Sequence, residues 1–383
     1  MAVTTSQTKR PWLVLAYIVA DDERKPLLNP FASDELAAIK QAAIDEDIAL
    51  AAHVDFTGPG IASRRCFIAG ANGEDRSACR NSLEENSATM FSLQEFLVFA
   101  RNHAAPDSRV AVFFWGHGAG PAGFFLDPNP EPPKSLALPD VTAAFQAIEL
   151  PIEVMLFRDC WTASLEMAYE FDGVTRYAIA SQGLVPIPGA WPFKELFQVL
   201  NAMPDPAQAI DMARLLVPLD THYQRRSNRG VPPLSEVRFA ALRIENGRAR
   251  LKTALGAFVE ELGNLTGGAR LSSRSVLELA KGGDAALVDV ITMCEGLRDL
   301  PDPMGKAARD LQAATAELRI SQTDGTPAAI LDGSLRGISL FRRPAVSQSD
   351  SIFIESVVYD VYSQLVLCNE TGWNTIAYET LLD

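Results

Sequence analysis

The chain has 383 residues, 48% hydrophobic and 21% charged, a balance that lets a folded protein bury a large core. Its formal net charge is −14, from 34 basic and 48 acidic side chains, and it has no long basic run; phosphate binding depends on Lys and Arg, so a nucleic-acid partner is excluded. No run reaches 18 consecutive apolar residues and the polar start, MAVTTSQTKR, lacks a signal peptide's apolar region, so the expectation is no membrane span, a flexible segment 1–10 and a cytoplasmic location.

In chain order, Trp12 to Ala20 (WLVLAYIVA) is a continuous apolar run, the mark of a strand covered on both faces. A helix is expected over 32–43, with Ser33 as its N-cap. Strands follow at Ile48 to Phe56 and Arg65 to Ala69. A second helix runs over 92–103, with Ser92 and Glu95 at capping-box spacing. Val110 to Trp115 is another buried strand, followed by GHGAG. The segment 128–139 holds five prolines and reads as an exposed loop without regular structure. A short helix (141–148), a strand (152–157), a helix (163–171) and a strand (176–181) complete the first 200 residues. Beyond them lie helices at 206–226, 249–264, 275–300 and 303–319, and strands at 237–244 and 337–341. Alternating strands and helices predict an α/β fold: a three-layer sandwich with a mainly parallel central sheet over 11–200, and a helix-rich part over 201–383 that adds strands and packs on the core.

Two reactive residues follow buried strands. His117 comes after VAVFFW and Cys160 after IEVMLFRD, one strand–loop–helix–strand crossover apart. In open parallel sheets, sites form beyond the carboxyl ends of strands, and neighbouring strands lie about 4.8 Å apart. The two side chains can share a cleft, with Cys160 as nucleophile and His117 as acid–base partner. Gly118 and Cys160 can offer backbone N–H groups as an oxyanion hole. The other cysteines, Cys66, Cys79, Cys294 and Cys368, have no C-x-x-C spacing and no matching His. They read as structural, as do His53, His103 and His222; no metal site is expected.

The ordered series WLVLAYIVADD, NSATMFSLQEFLVFA, FFWGHGAG, LFRDCWTASLEMAYEF, ASQGLVPIPGAWPF, GISLFRRP and TGWNTIAYETLL resembles the clostripain-like cysteine peptidases, relatives of caspases, gingipains and separase. The resemblance implies a caspase-like fold, a His117–Cys160 dyad, a thioester acyl-enzyme, and protein or peptide substrates. It also brings an activating protease or regulator as partner and a zymogen cut between the His and Cys strands, with Glu131, Lys134 and Asp140 in the candidate processing loop. Some relatives use calcium, for which Asp21, Asp22 and Asp55 are the strand-end candidates; no cofactor is assigned.

The chain departs from the family at the expected substrate pocket. Where the family has D-A-C, this chain has Arg158, Asp159 and Cys160; where it has S-E-E, this chain has Ser181, Gln182 and Gly183. Arg158, Asp159, Ser181 and Gln182 are the substrate-binding candidates, and the lost negative charge points to an acidic or neutral P1 residue. An intracellular peptidase of this kind suits limited proteolysis. The competing reading is a catalytically idle caspase-like scaffold that binds regulatory partners; a nucleotide-binding protein is disfavoured by the lack of G-x-G-x-x-G or P-loop sequence.

Overall fold

The structure, a computed structural model, describes residues 10–20, 27–57, 63–81, 86–127, 134–148, 150–227, 238–266, 275–276, 287–322, 336–342 and 361–378. Strand β1 (Trp12–Ala20) leads through helix α1 (Asn29–Asp45) to β2 (Ala49–Phe56), β3 (Arg64–Ala69) and β4 (Glu74–Asn81). Helix α2 (Met90–His103) precedes β5 (Arg109–Trp115), the small strands β6 (Phe124–Asp127) and β7 (Lys134–Leu136), and α3 (Leu138–Ile148). Then come β8 (Ile152–Arg158), α4 (Leu165–Glu170), β9 (Thr175–Ser181), α5 (Phe193–Ala202), α6 (Ala209–Ala213), α7 (Leu216–Ser227) and β10 (Phe239–Arg243). The chain continues as α8 (Gly247–Gly263), β11 (Leu287–Asp289), α9 (Val290–Leu297), α10 (Met304–Leu318), β12 (Arg319–Gln322), β13 (Ser339–Phe341), α11 (Val366–Thr371) and α12 (Trp373–Tyr378).

One sheet runs in the order β12-β10-β9-β8-β5-β1-β2-β3-β4. Its centre, β9-β8-β5-β1-β2, is parallel, and β3, β4, β10 and β12 pair antiparallel at the two edges. The central strands are buried on both faces, which is why they read as unbroken apolar runs. The crossover β1–α1–β2 moves one way from β1, whereas β5–α3–β8 and β8–α4–β9 move the other way. Right-handed crossovers therefore place α1 on one face and α3 and α4 on the opposite one. The two cores follow this division: Ile39 packs with Val14, Leu156 and Leu196 on one face, and Phe114, Phe157, Phe145 and Leu165 fill the other. The part after residue 200 lends β10 and β12 to this same sheet. Among the described residues no helix is long and apolar enough to cross a membrane.

Several expected elements are placed differently. Helix α1 starts at Asn29, with Pro30 in its first turn, where a missing N–H leaves no bond unmade; Ser33 lies inside it. In α2 the N-cap is Thr89, whose hydroxyl accepts the Ser92 N–H at 3.2 Å, so Ser92 is a helical residue and not the cap. The proline segment is not wholly irregular. Residues 134–136 form β7 against β6, and Pro139 enters the first turn of α3. The helix expected over 206–226 is split into α6 and α7, and 287–289 form a strand before α9. Strand β4 escaped notice because EDRSACRN has no apolar alternation; it is an edge strand.

Candidate active site

The register of the parallel sheet positions the two candidate residues. Trp115 of β5 pairs with Arg158 of β8, so continuing both chains by two residues brings His117 level with Cys160. The backbone after β5 is held by a small hairpin: Phe125 N–H donates to the His117 carbonyl at 2.7 Å, and Ala119 N–H to the Gly123 carbonyl at 3.0 Å. Both glycines flanking His117 are required by close approach. A Cβ on Gly116 would lie 2.9 Å from the Val19 carbonyl oxygen and 2.7 Å from the Phe125 ring. A Cβ on Gly118 would lie 2.3 Å from the Cys160 carbonyl oxygen and 2.6 Å from the Cys160 nitrogen. The backbone of Gly118 therefore rests directly on that of Cys160. Among the described residues no acceptor takes the N–H of Gly118 or of Cys160.

On the other side, Cys160 is covered by the loop that follows β9. Val185 N–H donates to Cys160 Sγ at 3.3 Å. Trp161, in a left-handed conformation with φ of 55°, donates its N–H to the Gly183 carbonyl at 3.1 Å, and Ala163 N–H donates to the Ser181 carbonyl at 2.8 Å. His117 and Cys160 are each part-exposed. Burial nevertheless pushes the Cys160 thiol up to about 11; the Val185 N–H pulls against this and the neighbouring Asp159 adds to it. In this conformation the sulfur is a neutral thiol at neutral pH, hydrogen-bonded and capped.

The same loop is braced from below. Arg158, 3% exposed, forms an ion pair with Glu35 of α1 in which both side chains are 1% exposed. Its Nη2 also donates to the Ile187 and Gly189 carbonyls, both at 2.8 Å, and to the Pro186 carbonyl at 3.2 Å. Glu35 also accepts the Trp191 N–H at 3.2 Å, and the Trp191 indole donates to the Tyr223 hydroxyl at 3.0 Å. One buried ion pair thus ties the first helix of the sheet to the later half, 186–191, of the segment that caps the thiol.

In this conformation the side chains of the four substrate-binding candidates are engaged or buried within the protein. Arg158 is spent on Glu35 and the loop carbonyls, because an unpaired guanidinium at that depth would be costly. Asp159, just past the end of β8, is fully buried, and among the described residues neither carboxyl oxygen has a hydrogen-bond partner; burial holds it well above the usual carboxylate range. The Ser181 hydroxyl donates to the Gly183 carbonyl at 3.1 Å. Gln182 is bound to Asp289 at 2.7 Å, Ser339 at 3.0 Å and the Gly337 N–H at 2.6 Å, which anchors the loop's start to the C-terminal part. Of the processing candidates, Glu131 lies outside the described residues, Lys134 begins β7, and Asp140 is exposed in the first turn of α3.

Asp21 and Asp22 also lie outside the described residues, and Asp55 is buried with its Oδ1 taking the Ser63 hydroxyl at 2.7 Å. Among the described residues the group of His, Cys, Asp and Glu converging on one point is Cys66, Glu74 and Cys79, whose sulfurs do not suit calcium. Glu35 and Val185 had not been singled out. Glu35 left a signal: an acid standing among Ala32, Ile39, Ala42 and Ala43 on the buried face of α1 needs a cation partner. Val185 acts through its backbone and left none.

The family model described as the clostripain family matches residues 16–231. Among solved structures, a secreted C11 cysteine protease from Bacteroides thetaiotaomicron in complex with an irreversible peptide inhibitor is 17% identical, with a TM-score of 0.64 over 95% of this chain and 99% of that one. An inactive zymogen C11 protease from Parabacteroides distasonis is 16% identical, with a TM-score of 0.65 over 95% and 99%. The secreted C11 protease called iotapain, also from Bacteroides thetaiotaomicron, is 15% identical, with a TM-score of 0.69 over 95% and 100%. At these identities the likeness speaks for the fold. No curated protein matches the chain.

Proposed function

Since the chain belongs to the clostripain family of cysteine peptidases, we propose that Cys160 and His117 are its catalytic dyad and that the conformation described here is a latent one. The observation that carries the dyad is the contact between Gly118 and Cys160 at paired strand tips. In the proposed reaction His117 takes the Cys160 proton as the sulfur attacks a peptide carbonyl. The developing oxyanion receives the N–H groups of Gly118 and Cys160, donors that are each worth about 3 kcal/mol when pre-aligned. His117 then gives the proton to the leaving amine, and water hydrolyses the thioester.

The latent reading rests on Val185. Its N–H occupies the sulfur and the loop behind it keeps the thiol protonated, so activity requires the loop 182–191 to withdraw. An inactive zymogen is also known among its structural relatives, the C11 protease from Parabacteroides distasonis. A basic P1 side chain is bound well only by a carboxylate. Among the described residues Asp159 beside Cys160 is buried and Glu35 is paired with Arg158, so neutral P1 residues are favoured over Arg and Lys; an acidic one needs Arg158 released from Glu35. The substrates are peptides or proteins, cut at few sites because the sulfur is covered at rest.

The test is a peptide library read by mass spectrometry, together with labelling by a peptidyl acyloxymethylketone, on wild type, Cys160→Ala and His117→Ala. Cleavage and labelling lost in both variants support the dyad. Label retained in Cys160→Ala refutes the nucleophile and leaves the scaffold reading. Fast cutting after Arg or Lys alone refutes the P1 reading.

A further inference from the structure

The antiparallel pair β3–β4 brings two cysteines thirteen residues apart into opposition. Arg65 pairs with Arg80 and Phe67 with Asp75, so the register shifts at Cys66, and this irregularity brings Cys66 beside Cys79. Glu74, at the start of β4, turns back onto them. Cys79 Sγ–H donates to Glu74 Oε1 at 3.0 Å, and the two sulfurs and the carboxylate oxygen all lie within 4.8 Å of one another. Cys66 is buried, Cys79 half-buried and Glu74 open to solvent, so the group has a closed floor and an accessible mouth.

We propose that Cys66, Cys79 and Glu74 bind a thiophilic divalent cation of the zinc type. Two sulfurs and one oxygen are a soft-to-borderline donor set, suited to Zn²⁺ or Cd²⁺ and unsuited to Ca²⁺ or Mg²⁺. Tetrahedral bonds of about 2.3 Å to sulfur and about 2.1 Å to oxygen put ligand atoms about 3.5–3.8 Å apart, which small rotamer shifts from the present spacing supply. The fourth position faces solvent. The carboxylate already has the outer partners that orient a ligand: Arg64 Nη2 at 2.9 Å and Lys40 Nζ at 3.2 Å, both on Glu74 Oε1. These cations offset the negative charge that two thiolates and a carboxylate retain around one divalent ion. Binding exchanges two thiol protons for the ion, so the charge of the cluster is the same before and after. Because both sulfurs bind as thiolates, affinity rises with pH. A bound ion would clamp the edge strand β4 to β3.

The site is tested in the full chain carrying Cys160→Ala, which removes the active-site sulfur as a competing ligand, after reduction and desalting. Titration with Cd²⁺ is expected to raise the ultraviolet cadmium–thiolate band to a plateau at one equivalent, with two protons released per ion. Adding Cys66→Ser or Cys79→Ser should weaken binding by about a hundredfold or more, whereas Cys294→Ala leaves it unchanged. Absence of the band, or a band that survives the double Cys66→Ser, Cys79→Ser change, overturns the proposal. The first outcome requires no variant of the site, so misfolding cannot rescue the idea.

Discussion

Replacing Glu35 by Gln should unlatch the active-site thiol. The side chains of Glu35 and Arg158 are each 1% exposed, and breaking such a pair by removing one charge typically costs about 3–5 kcal/mol, because the partner is left buried and uncompensated. Arg158 can recover that cost by turning towards water, which releases the carbonyls of Pro186, Ile187 and Gly189 and, with them, the Val185 N–H. Cys160 then loses the burial that holds its thiol at about 11 and returns towards the ordinary thiol value near 9. Two units correspond to about 2.7 kcal/mol and about a hundredfold more thiolate at pH 7.5. The latch energy therefore suffices to drive the shift. The assay is the pH dependence of iodoacetamide labelling of Cys160, read by peptide mass spectrometry, with circular dichroism and a melt to verify folding. Wild type should label with an inflection near 11, and Glu35→Gln with one nearer 9. The double change Glu35→Leu, Arg158→Leu keeps the interior filled and should label as fast as Glu35→Gln. An inflection that stays near 11 in a folded Glu35→Gln protein would falsify the latch.

Three further outcomes are expected. Gly118→Ala places a methyl 2.3 Å from the Cys160 carbonyl oxygen, so activity of the opened enzyme should fall by about 10²–10³ in kcat, the range for losing one oxyanion donor; kcat within threefold of wild type would refute the role. Asp159 is buried with its carboxyl held above the usual range by burial. The folded state thus binds more protons than the unfolded one, so its contribution is intact below the unfolded value near 3.8 and is lost as pH rises towards the folded value. Asp159→Asn should leave Tm unchanged at pH 4 and raise it at pH 7; equal effects at both would contradict this. Arg109 forms a bidentate pair with Glu153 at 2.8 Å for each bond, and Glu153 also accepts the Ala207 N–H at 2.9 Å. Glu153→Ala should therefore cost about 3–5 kcal/mol in denaturant unfolding, and a loss below about 1 kcal/mol would contradict that reading.

What the sequence by itself determined lies in its local patterns. Unbroken apolar runs such as Trp12–Ala20 announce strands covered on both faces, and their alternation with helices sets the parallel core. Two such strands, β5 and β8, end at Trp115 and Arg158, so the tips that lead to His117 and Cys160 were legible in the sequence. Their being level with one another was not, because register between strands 43 residues apart depends on how both pack against shared helices. The helix ends were misplaced because the first turns of α1 and α2 start before the polar residues that resemble caps. That Arg158 pairs with Glu35 in this conformation has a tertiary reason. Residues alternate across β8, and that parity turns the guanidinium towards α1, where Glu35 waits more than a hundred positions earlier. The convergence of Cys66, Glu74 and Cys79 is likewise hidden in linear spacing and appears only when an edge hairpin folds back. Sequence patterns record what each segment buries; which side chains then meet is decided by packing between segments remote along the chain.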